Sequence, residues 1–343
     1  MTIMRQLADA GTSIVFITHK LREVRAVADE ITVIRRGRVV GHASPSDSEA
    51  SLATQMVGGE VLMRVEKEPA RPAGGGLSFE DVSLLGACGV PLLDHVSFDV
   101  PRGEILAVAG VQGNGQTELA EVILGLQTPD SGVIRLEDAD ITRAKPRESL
   151  DAGVGFIPED RSTDGIIASF SIADNLVLDQ FRSSSFSALG SLKRSAIARN
   201  ARDKEKEYDI RLTSIEDPVS SLSGGNQQKV VVAREMSRDL TLLVANQPTR
   251  GVDVGSIEFI HRRIVDVRDQ GCAVLLISSE LDEVISLADR IAVMYRGRVV
   301  GIVPADTGRD VLGLMMAGIP LDEAVAASSG SAGDAGAPRK EEQ

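Results

Sequence analysis

Residues 222–229 read LSGGNQQK and combine groups that suit a phosphate. A glycine pair at the start of a helix leaves backbone N–H groups accessible, and the helix dipole places partial positive charge at the same end. Ser223 adds a hydroxyl that can donate a hydrogen bond. The pattern indicates a phosphate-facing loop, although an ordinary helix N-cap with flexible glycines also reads SGG.

Residues 104–126, EILAVAGVQGNGQTELAEVILGL, predict a buried strand, a glycine-rich turn and a helix, the setting of a P-loop. The turn reads G-x-x-x-x-G-Q-T from Gly110 to Thr117, so Gln116 occupies the position of the usual lysine. The Thr117 hydroxyl suits Mg²⁺, and the backbone N–H groups of residues 113–115 can cradle phosphates. Charge-assisted hydrogen bonds exceed neutral ones by about 1 kcal/mol, so we expect weakened nucleotide binding. Glycines that serve packing alone are the alternative.

Residues 240–253, LTLLVANQPTRGVD, predict an apolar strand that ends at Asn246 and Gln247. A P-loop ATPase would carry adjacent carboxylates here, the first in the magnesium shell and the second polarising the attacking water. An amide cannot take up a proton at neutral pH, so Gln247 is a poor general base. A plain turn after a strand remains the alternative interpretation of NQPT.

An internal repeat relates the two ends of the chain. SIVFITHKLREV at 13–24 aligns without gaps with AVLLISSELDEV at 273–284, and the match continues from 28–41 to 288–301. Each copy predicts a helix, a buried strand, a helix, a hairpin with an RG turn and a closing helix. His19 in the first copy faces Ser279 in the second. A histidine there suits contact with a terminal phosphate or a structural role, whereas serine cannot carry charge.

The repeat sets the predicted domain boundaries. We predict that residues 1–59 are the C-terminal remnant of a first domain, 60–76 a charged linker containing Pro and Gly, 77–320 a complete second domain and 328–343 a disordered tail. We expect the front of the first domain to be missing, through truncation, gene splitting or a misassigned start codon, or to be supplied by another chain.

Composition excludes several classes of protein. The 37 Lys and Arg against 50 Asp and Glu give a net charge of -13, which argues against a nucleic-acid surface or a polybasic membrane patch. Cys88 and Cys272 suggest neither a disulfide framework nor a zinc site and fit a reducing cytosol. No apolar run approaches the ~18 residues of a transmembrane helix, and the N-terminus lacks the apolar core of a signal peptide.

Residues 153–165, GVGFIPEDRSTDG, predict a strand that passes through Pro158 into a polar loop with Glu159 and Asp160. Such a loop could join a core to a helical subdomain. A surface turn with solvated charges is the alternative.

The order of these motifs, P-loop, PEDR, LSGGNQQK, QPTRGVD and SSE, resembles the ATP-binding subunit of tandem-domain ABC importers for simple sugars and nucleosides over nearly all of the chain. The resemblance implies an α/β P-loop NTPase fold with a RecA-like core, an antiparallel β subdomain and a helical subdomain. It also implies ATP and Mg²⁺, transmembrane permease subunits, indirectly a solute-binding protein, and a peripheral location on the cytoplasmic face of the cell membrane. Gln116 with ANQPTRGVDVG looks closest to the nucleoside branch, since sugar-branch members more often carry DEPT at 246–249.

The resemblance also assigns the site residues to two nucleotide pockets. In that family each nucleotide lies between the P-loop of one domain and the signature loop of the other. The competent pocket would be flanked by His19 and by the signature residues Ser223, Gly224, Gly225 and Gln227. The other pocket is expected to be a binding-only or very slow site, with Glu159 beside it in a loop facing the permease. Its nucleotide would lie on Gly110, Gly113, Asn114, Gly115, Gln116 and Thr117, its Mg²⁺ on Thr117, and Asn246, Gln247 and Ser279 would hold the catalytic positions.

Two other functions compete with the importer. A tandem ABC protein acting on ribosomes or in DNA repair usually carries long charged helical linkers, which neither residues 60–76 nor the acidic balance fits. A nonfunctional or regulatory nucleotide-binding fragment is the second alternative.

Overall fold

The computed structural model describes residues 1–18, 20–35, 37–58 and 67–331. The chain divides into two compact units, Met1–Glu66 with Gly251–Arg262, and Lys67–Arg250 with Arg263–Gln343. His19, most of the predicted linker (60–66) and most of the predicted tail (332–343) lie outside the described residues.

The first unit contains the repeated elements that the sequence predicts, apart from the strand. They are α1 (Thr2–Asp9), α2 (Leu21–Val27), β1 (Ile31–Arg35), β2 (Arg38–Ala43) and α3 (Glu49–Val57). β1 and β2 form an antiparallel hairpin, and Leu21, Leu52 and Ala53 form a small buried core. Ser48 is the N-cap of α3, and its side chain accepts a hydrogen bond from Ser51 N.

The predicted buried strand at 13–18 is wrong. This segment has no regular secondary structure, and Val15 and Ile17 are 93% and 99% exposed. A strand is stabilised by hydrogen bonds to a neighbouring strand, and none of the described strands pairs with residues 13–18. An apolar run by itself therefore does not produce the strand.

The second unit holds three sheets. The six-stranded sheet has the order β14-β13-β5-β12-β11-β8, the four-stranded antiparallel sheet has the order β4-β3-β6-β7, and β9 and β10 form a short hairpin. In chain order the strands are β3 (Ala73–Leu85), β4 (Pro91–Arg102), β5 (Ile105–Ala109), β6 (Ser131–Leu136), β7 (Ala139–Asp140), β8 (Val154–Ile157), β9 (Ser187–Ala188), β10 (Ser191–Leu192), β11 (Leu242–Asn246), β12 (Ala273–Ser278), β13 (Arg290–Tyr295) and β14 (Arg298–Pro304).

The remaining helices lie between and after these strands in the chain. They are α4 (Gln116–Ile123), α5 (Pro146–Asp151), α6 (Ile172–Asn175), α7 (Arg194–Glu207), α8 (Gly224–Glu235), α9 (Val254–Asp269), α10 (Leu281–Leu287), α11 (Arg309–Met316) and α12 (Leu321–Ser331). A π-helical turn spans Arg161–Gly165 and a 3₁₀ turn spans Val219–Ser221. α6, α7 and α8 lie between β8 and β11 in the chain, where the helical subdomain is expected.

The parallel strands of the large sheet position the candidate site. Every residue of β5, β11 and β12 is buried, as expected for strands covered on both faces. Asn246 pairs with Ile277, and Ser278 pairs with Ala109. The carboxyl ends of the three strands therefore meet at one edge of the sheet, where α/β proteins place their ligands.

The antiparallel sheet confirms the predicted β subdomain. β3 pairs with both β4 and β6, and Phe79 stacks on Phe98 with ring centroids 4.7 Å apart. The core of this subdomain is continuous with the apolar side chains of the large sheet.

Regular structure in the second unit extends beyond the predicted second domain, 77–320, at both ends. β3 begins at Ala73, and the Lys67 ammonium binds the carbonyl oxygens of Leu287 and Ala288 at 2.8 and 2.7 Å, so the ordered unit starts before residue 77. At the other end, α12 continues to Ser331 instead of leaving a tail from Ser328. The sequence LDEAVAASS is rich in alanine, which favours helix over irregular chain.

Candidate nucleotide site

The P-loop is built as the sequence predicts, between the end of β5 and the start of α4. Gly115 is the N-cap of α4 with φ 106°, and a Cβ there would lie 2.8 Å from Leu92 O, so packing and conformation both require glycine. Gly113 has φ 88°, but a Cβ there would meet no atom within 4 Å. The loop is therefore packed against the protein at Gly115 and open at Gly113, as a phosphate cradle must be.

Gln116 hydrogen-bonds back onto the loop that it follows. The residue is 8% exposed, its Nε2 donates to Val111 O at 3.0 Å, and its Oε1 accepts from Asn114 N at 3.0 Å. Both ends of the amide are therefore bonded to the backbone of its own loop. The motif shows that the positive charge is missing but gives no signal of these internal hydrogen bonds.

Asn114 joins the P-loop to the turn between β13 and β14. Its side-chain Oδ1 accepts from Arg296 N at 3.0 Å, and its carbonyl oxygen accepts from Gly297 N at 2.8 Å. The sequence predicts the RG turn as a hairpin and gives no signal that it holds the P-loop. Asn114 is therefore fixed on both its backbone and its side chain.

The ends of β11 and β12 bring together the predicted catalytic positions of the complete domain. Asn246 is the last residue of β11 and is 5% exposed. Gln247 follows with φ 50°, and its backbone N donates to Ile277 O at 2.8 Å. The Gln247 Nε2 donates to Ser279 Oγ at 3.0 Å. All three side chains are neutral, so the charge expected of a hydrolytic site is absent at these positions.

Glu159 lies in a network that includes the P-loop. Its Oε1 accepts from Gln112 Nε2 at 2.6 Å and also pairs with the Arg250 guanidinium. Arg161 Nη1 donates to Arg250 O at 3.0 Å, and burial lowers the pKa of the Arg161 guanidinium. Asp160 accepts from Ser162 N at 2.8 Å and caps the π-helical turn. The motif order predicts Glu159 beside the nucleotide and gives no signal that Gln112 and Arg250 are its partners.

The signature segment forms the start of α8, as predicted. Ser223 is the N-cap, and its Oγ accepts from Asn226 Nδ2 at 3.0 Å, while Gly224 is the first helical residue and Gly225 is buried. Gln227 Nε2 donates to Leu222 O at 3.1 Å, so this amide nitrogen holds the loop itself.

Gln228 connects the same helix to the loop after β11. The residue is 2% exposed, and its Nε2 donates to Pro248 O at 2.7 Å. The start of α8 and the segment that carries Gln247 are therefore directly hydrogen-bonded, a link that the motif spacing did not indicate.

The family of this fold is shown by comparison with known proteins. Residues 93–250 match the family model described as ABC transporter. The chain is 45% identical over 325 residues to a nucleoside import ATP-binding protein of Lactococcus lactis. The matched region covers 94% of this chain and 64% of that relative. The chain is 46% identical over 319 residues to a glucose import ATP-binding protein of Haloferax volcanii, covering 92% and 58%. A guanosine import ATP-binding protein of Bacillus subtilis is 42% identical over 326 residues, covering 94% and 64%.

Solved structures show the same fold. An ATP-binding cassette of an ABC transporter superposes with a TM-score of 0.61 at 22% identity and covers 72% of this chain and 98% of its own. A dimeric cassette bound to ADP and Pi superposes with a TM-score of 0.59 at 19% identity, covering 68% of this chain and all of its own. The chain spans less than two thirds of the length of the three import proteins. Strand order, motif geometry and the family match agree, and the chain contains an ABC transporter ATP-binding domain with the α/β fold of P-loop ATPases.

Proposed function

We propose that the chain is the ATP-binding motor subunit of an ABC-type importer of nucleosides or simple sugars. The relatives that support this proposal are import ATP-binding proteins for nucleosides, guanosine and glucose, and each covers more than nine tenths of the chain. The proposal includes a P-loop site that binds ATP and Mg²⁺ but hydrolyses ATP slowly.

The hydrogen bond between Gln247 and Ser279 is the observation that carries the slow-site proposal. An amide and a hydroxyl can orient a water molecule, but neither accepts its proton at neutral pH. Asn246 beside them adds no charge. The chain's own residues at this sheet edge therefore position a ligand without supplying a general base.

The residues of the P-loop fit the phosphates of a nucleotide. The side of the loop at Gly113 is open, and backbone N–H groups at the start of α4 favour anions. Thr117 offers a hydroxyl and Asn246 an amide oxygen, which are neutral ligands that bind Mg²⁺ more weakly than a carboxylate. When bound here, Mg·ATP would supply phosphates that hold two ATPase domains together, while the cleavage that drives transport would belong to the other pocket. Within the described part of the chain, no group of three or more His, Cys, Asp or Glu side chains is suited to a metal ion.

The partners follow from the same proposal. Ser223, Gly224, Gly225 and Gln227 would close over a nucleotide held by the P-loop of a second ATPase domain. Permease subunits would receive the motion, and a solute-binding protein would act through them. The motor would sit on the cytoplasmic face of the membrane. None of the described helices has both the length and the apolarity needed to cross a bilayer.

The test measures ATP binding by calorimetry and phosphate release in the same samples of the full chain. We expect binding in the presence of Mg²⁺ with phosphate release close to that of buffer. Gly113→Val should abolish binding because its side chain fills the open side of the loop. Gly190→Val is the matched control, since Gly190 also has a positive φ, 79°, and open space around it but lies in the β9–β10 turn.

Rapid consumption of Mg·ATP by the wild-type chain would contradict the slow site, and unchanged binding in Gly113→Val would contradict the cradle. The transport role has its own readout. Deletion of the coding sequence should lower cellular uptake of labelled guanosine or ribose, and unaltered uptake of nucleosides and sugars would refute an importer role.

A further inference from the structure

The side chain of Gln116 makes a contact that a lysine cannot make. Its Oε1 accepts a hydrogen bond from the backbone N of Asn114 at 3.0 Å. Lysine carries only donors, so it leaves the N–H groups of its P-loop without a side-chain acceptor. The substitution at position 116 therefore adds an acceptor to the loop as well as removing a positive charge.

The acceptor is held firmly in place. Gln116 Nε2 donates to Val111 O at 3.0 Å, so the amide bridges two backbone groups of the same loop. Gln116 is 8% exposed, and its side chain packs directly on Gly110, where a Cβ would lie 2.5 Å from Nε2. An acceptor that is already positioned competes for an N–H group better than bulk water does, by about 1 kcal/mol for a neutral hydrogen bond.

Asn114 keeps its position independently of Gln116. Its Oδ1 accepts from Arg296 N at 3.0 Å, and its carbonyl oxygen accepts from Gly297 N at 2.8 Å. Loss of the Gln116 amide should therefore expose the Asn114 N–H to a ligand instead of collapsing the loop.

The geometry points to Gln116 as an internal competitor of the nucleotide: its carbonyl oxygen occupies the Asn114 N–H that a phosphate oxygen would otherwise take. This inference rests on the proposed function, in which the loop binds nucleotide phosphates. ATP enters by displacing the amide, and the loop keeps its cradle shape when no nucleotide is bound. Gln116 is thus a residue that sets affinity, through an added acceptor and not only through a lost charge.

The decisive variant is Gln116→Met, which keeps the length of the side chain but removes its amide. We expect the Gln116→Met chain to bind ATP about fivefold more tightly than wild type, the equivalent of one neutral hydrogen bond. Gln116→Ala gives a second test with the same expected direction. If the amide instead donates to the phosphates, both variants will bind ATP more weakly than wild type, and equal or weaker binding overturns the inference.

Gln127→Met is the matched control, because it removes an amide outside the loop, whose Nε2 donates to Glu121 at 2.5 Å. No gain in affinity is expected there, and a gain equal to that of Gln116→Met would overturn the inference. A second readout needs no nucleotide: the amide hydrogen of Asn114 should exchange with solvent faster in Gln116→Met than in wild type. Identical exchange would show that the acceptor is not engaged.

Gln116→Lys separates this inference from the function on which it rests, because it restores the charge of an ordinary P-loop. If neither Gln116→Lys nor wild type binds ATP, the nucleotide proposal itself fails. If Gln116→Lys binds tightly while Gln116→Met does not exceed wild type, only the competition inference fails.

Discussion

The side chain of Gln247 donates a hydrogen bond to Ser279, with Nε2 and Oγ 3.0 Å apart across the ends of β11 and β12. The two residues are 32 positions apart in the chain. In the family resemblance they stand where a general base and a phosphate-contacting histidine are expected. Here they bind each other, so the two altered positions form one local polar pair.

Gln247 adopts a left-handed backbone conformation with φ 50°, which costs a non-glycine residue about 1 kcal/mol or more. We expect Gln247→Gly to be more stable than Gln247→Ala by about 1 kcal/mol, measured by urea unfolding. Phosphate release should stay low and unchanged in both variants. Asp203→Gly and Asp203→Ala in α7 are the control pair, and there glycine should be the less stable by a similar amount. The same order of stability at both positions would rule out backbone strain at Gln247.

Asn246 is 5% exposed at the edge where Mg²⁺ would bind. Asn246→Asp should lower the free energy of unfolding without nucleotide by about 1–3 kcal/mol, because it buries a charge that has no cation. Mg·ATP should restore that loss and raise the melting temperature more than it does in wild type. Asn175→Asp is the control, since Asn175 is fully buried and donates to Ile167 O. The free energy of unfolding that Asn175→Asp loses should not be restored by Mg·ATP. Equal restoration of stability in both variants would argue against a metal position near Asn246.

The ion pair between Arg250 and Glu159 offsets a negative charge beside Gln112 of the P-loop. Arg250→Gln should weaken ATP binding, and adding Glu159→Gln should recover most of the loss. Because Arg250 is 55% exposed, we expect a coupling energy of only about 0.5–1 kcal/mol, which declines as salt rises.

The measurement for this pair is a double-mutant cycle on ATP affinity at two salt concentrations. Arg147→Gln is the control, because it breaks an i,i+4 pair with Asp151 at 2.9 Å on α5 and should leave ATP affinity unchanged. Zero coupling between Arg250 and Glu159 at low salt would refute the compensation.

Burial raises the pKa of the Cys272 thiol from 9.0 to about 12. Between these values the folded protein keeps a proton that the unfolded chain releases, so stability falls as pH rises above 9. The slope is about 1.4 kcal/mol per pH unit. Cys272→Ala should remove this part of the slope, measured as the difference between the two proteins in urea unfolding from pH 8 to 11. Parallel curves would contradict the shifted pKa.

Much of the fold follows from local sequence patterns. The continuous apolar runs of β5, β11 and β12, the glycine-rich turn before α4 and the RG hairpin of the second repeat all appear where the sequence predicts them. These elements can be predicted from the sequence because strand burial, helix periodicity and turn glycines are properties of a few adjacent residues. The neutral residues Gln116, Asn246, Gln247 and Ser279 are likewise identified by position within each motif.

The same local reasoning fails where an element depends on distant partners. Residues 13–18 have the apolar run of a strand, but none of the described strands pairs with them. Ala73 belongs to β3 because it pairs with Arg102, although its glycine-rich surroundings suggest a linker. In both cases, hydrogen bonding to a neighbouring strand decides whether the segment forms a strand. The residues of that neighbouring strand lie elsewhere in the sequence.

The sequence by itself determined which chemical groups stand at the sheet edge, since residue type and motif order are enough to show that the charges are missing. Only the tertiary structure decided what the replacements do. Gln116 turns back to Asn114, Glu159 pairs with Arg250, and Gln247 meets Ser279. The physical reason is that a polar side chain bonds to whichever partner the fold brings within about 3 Å, and two of these three pairs join residues far apart in the chain.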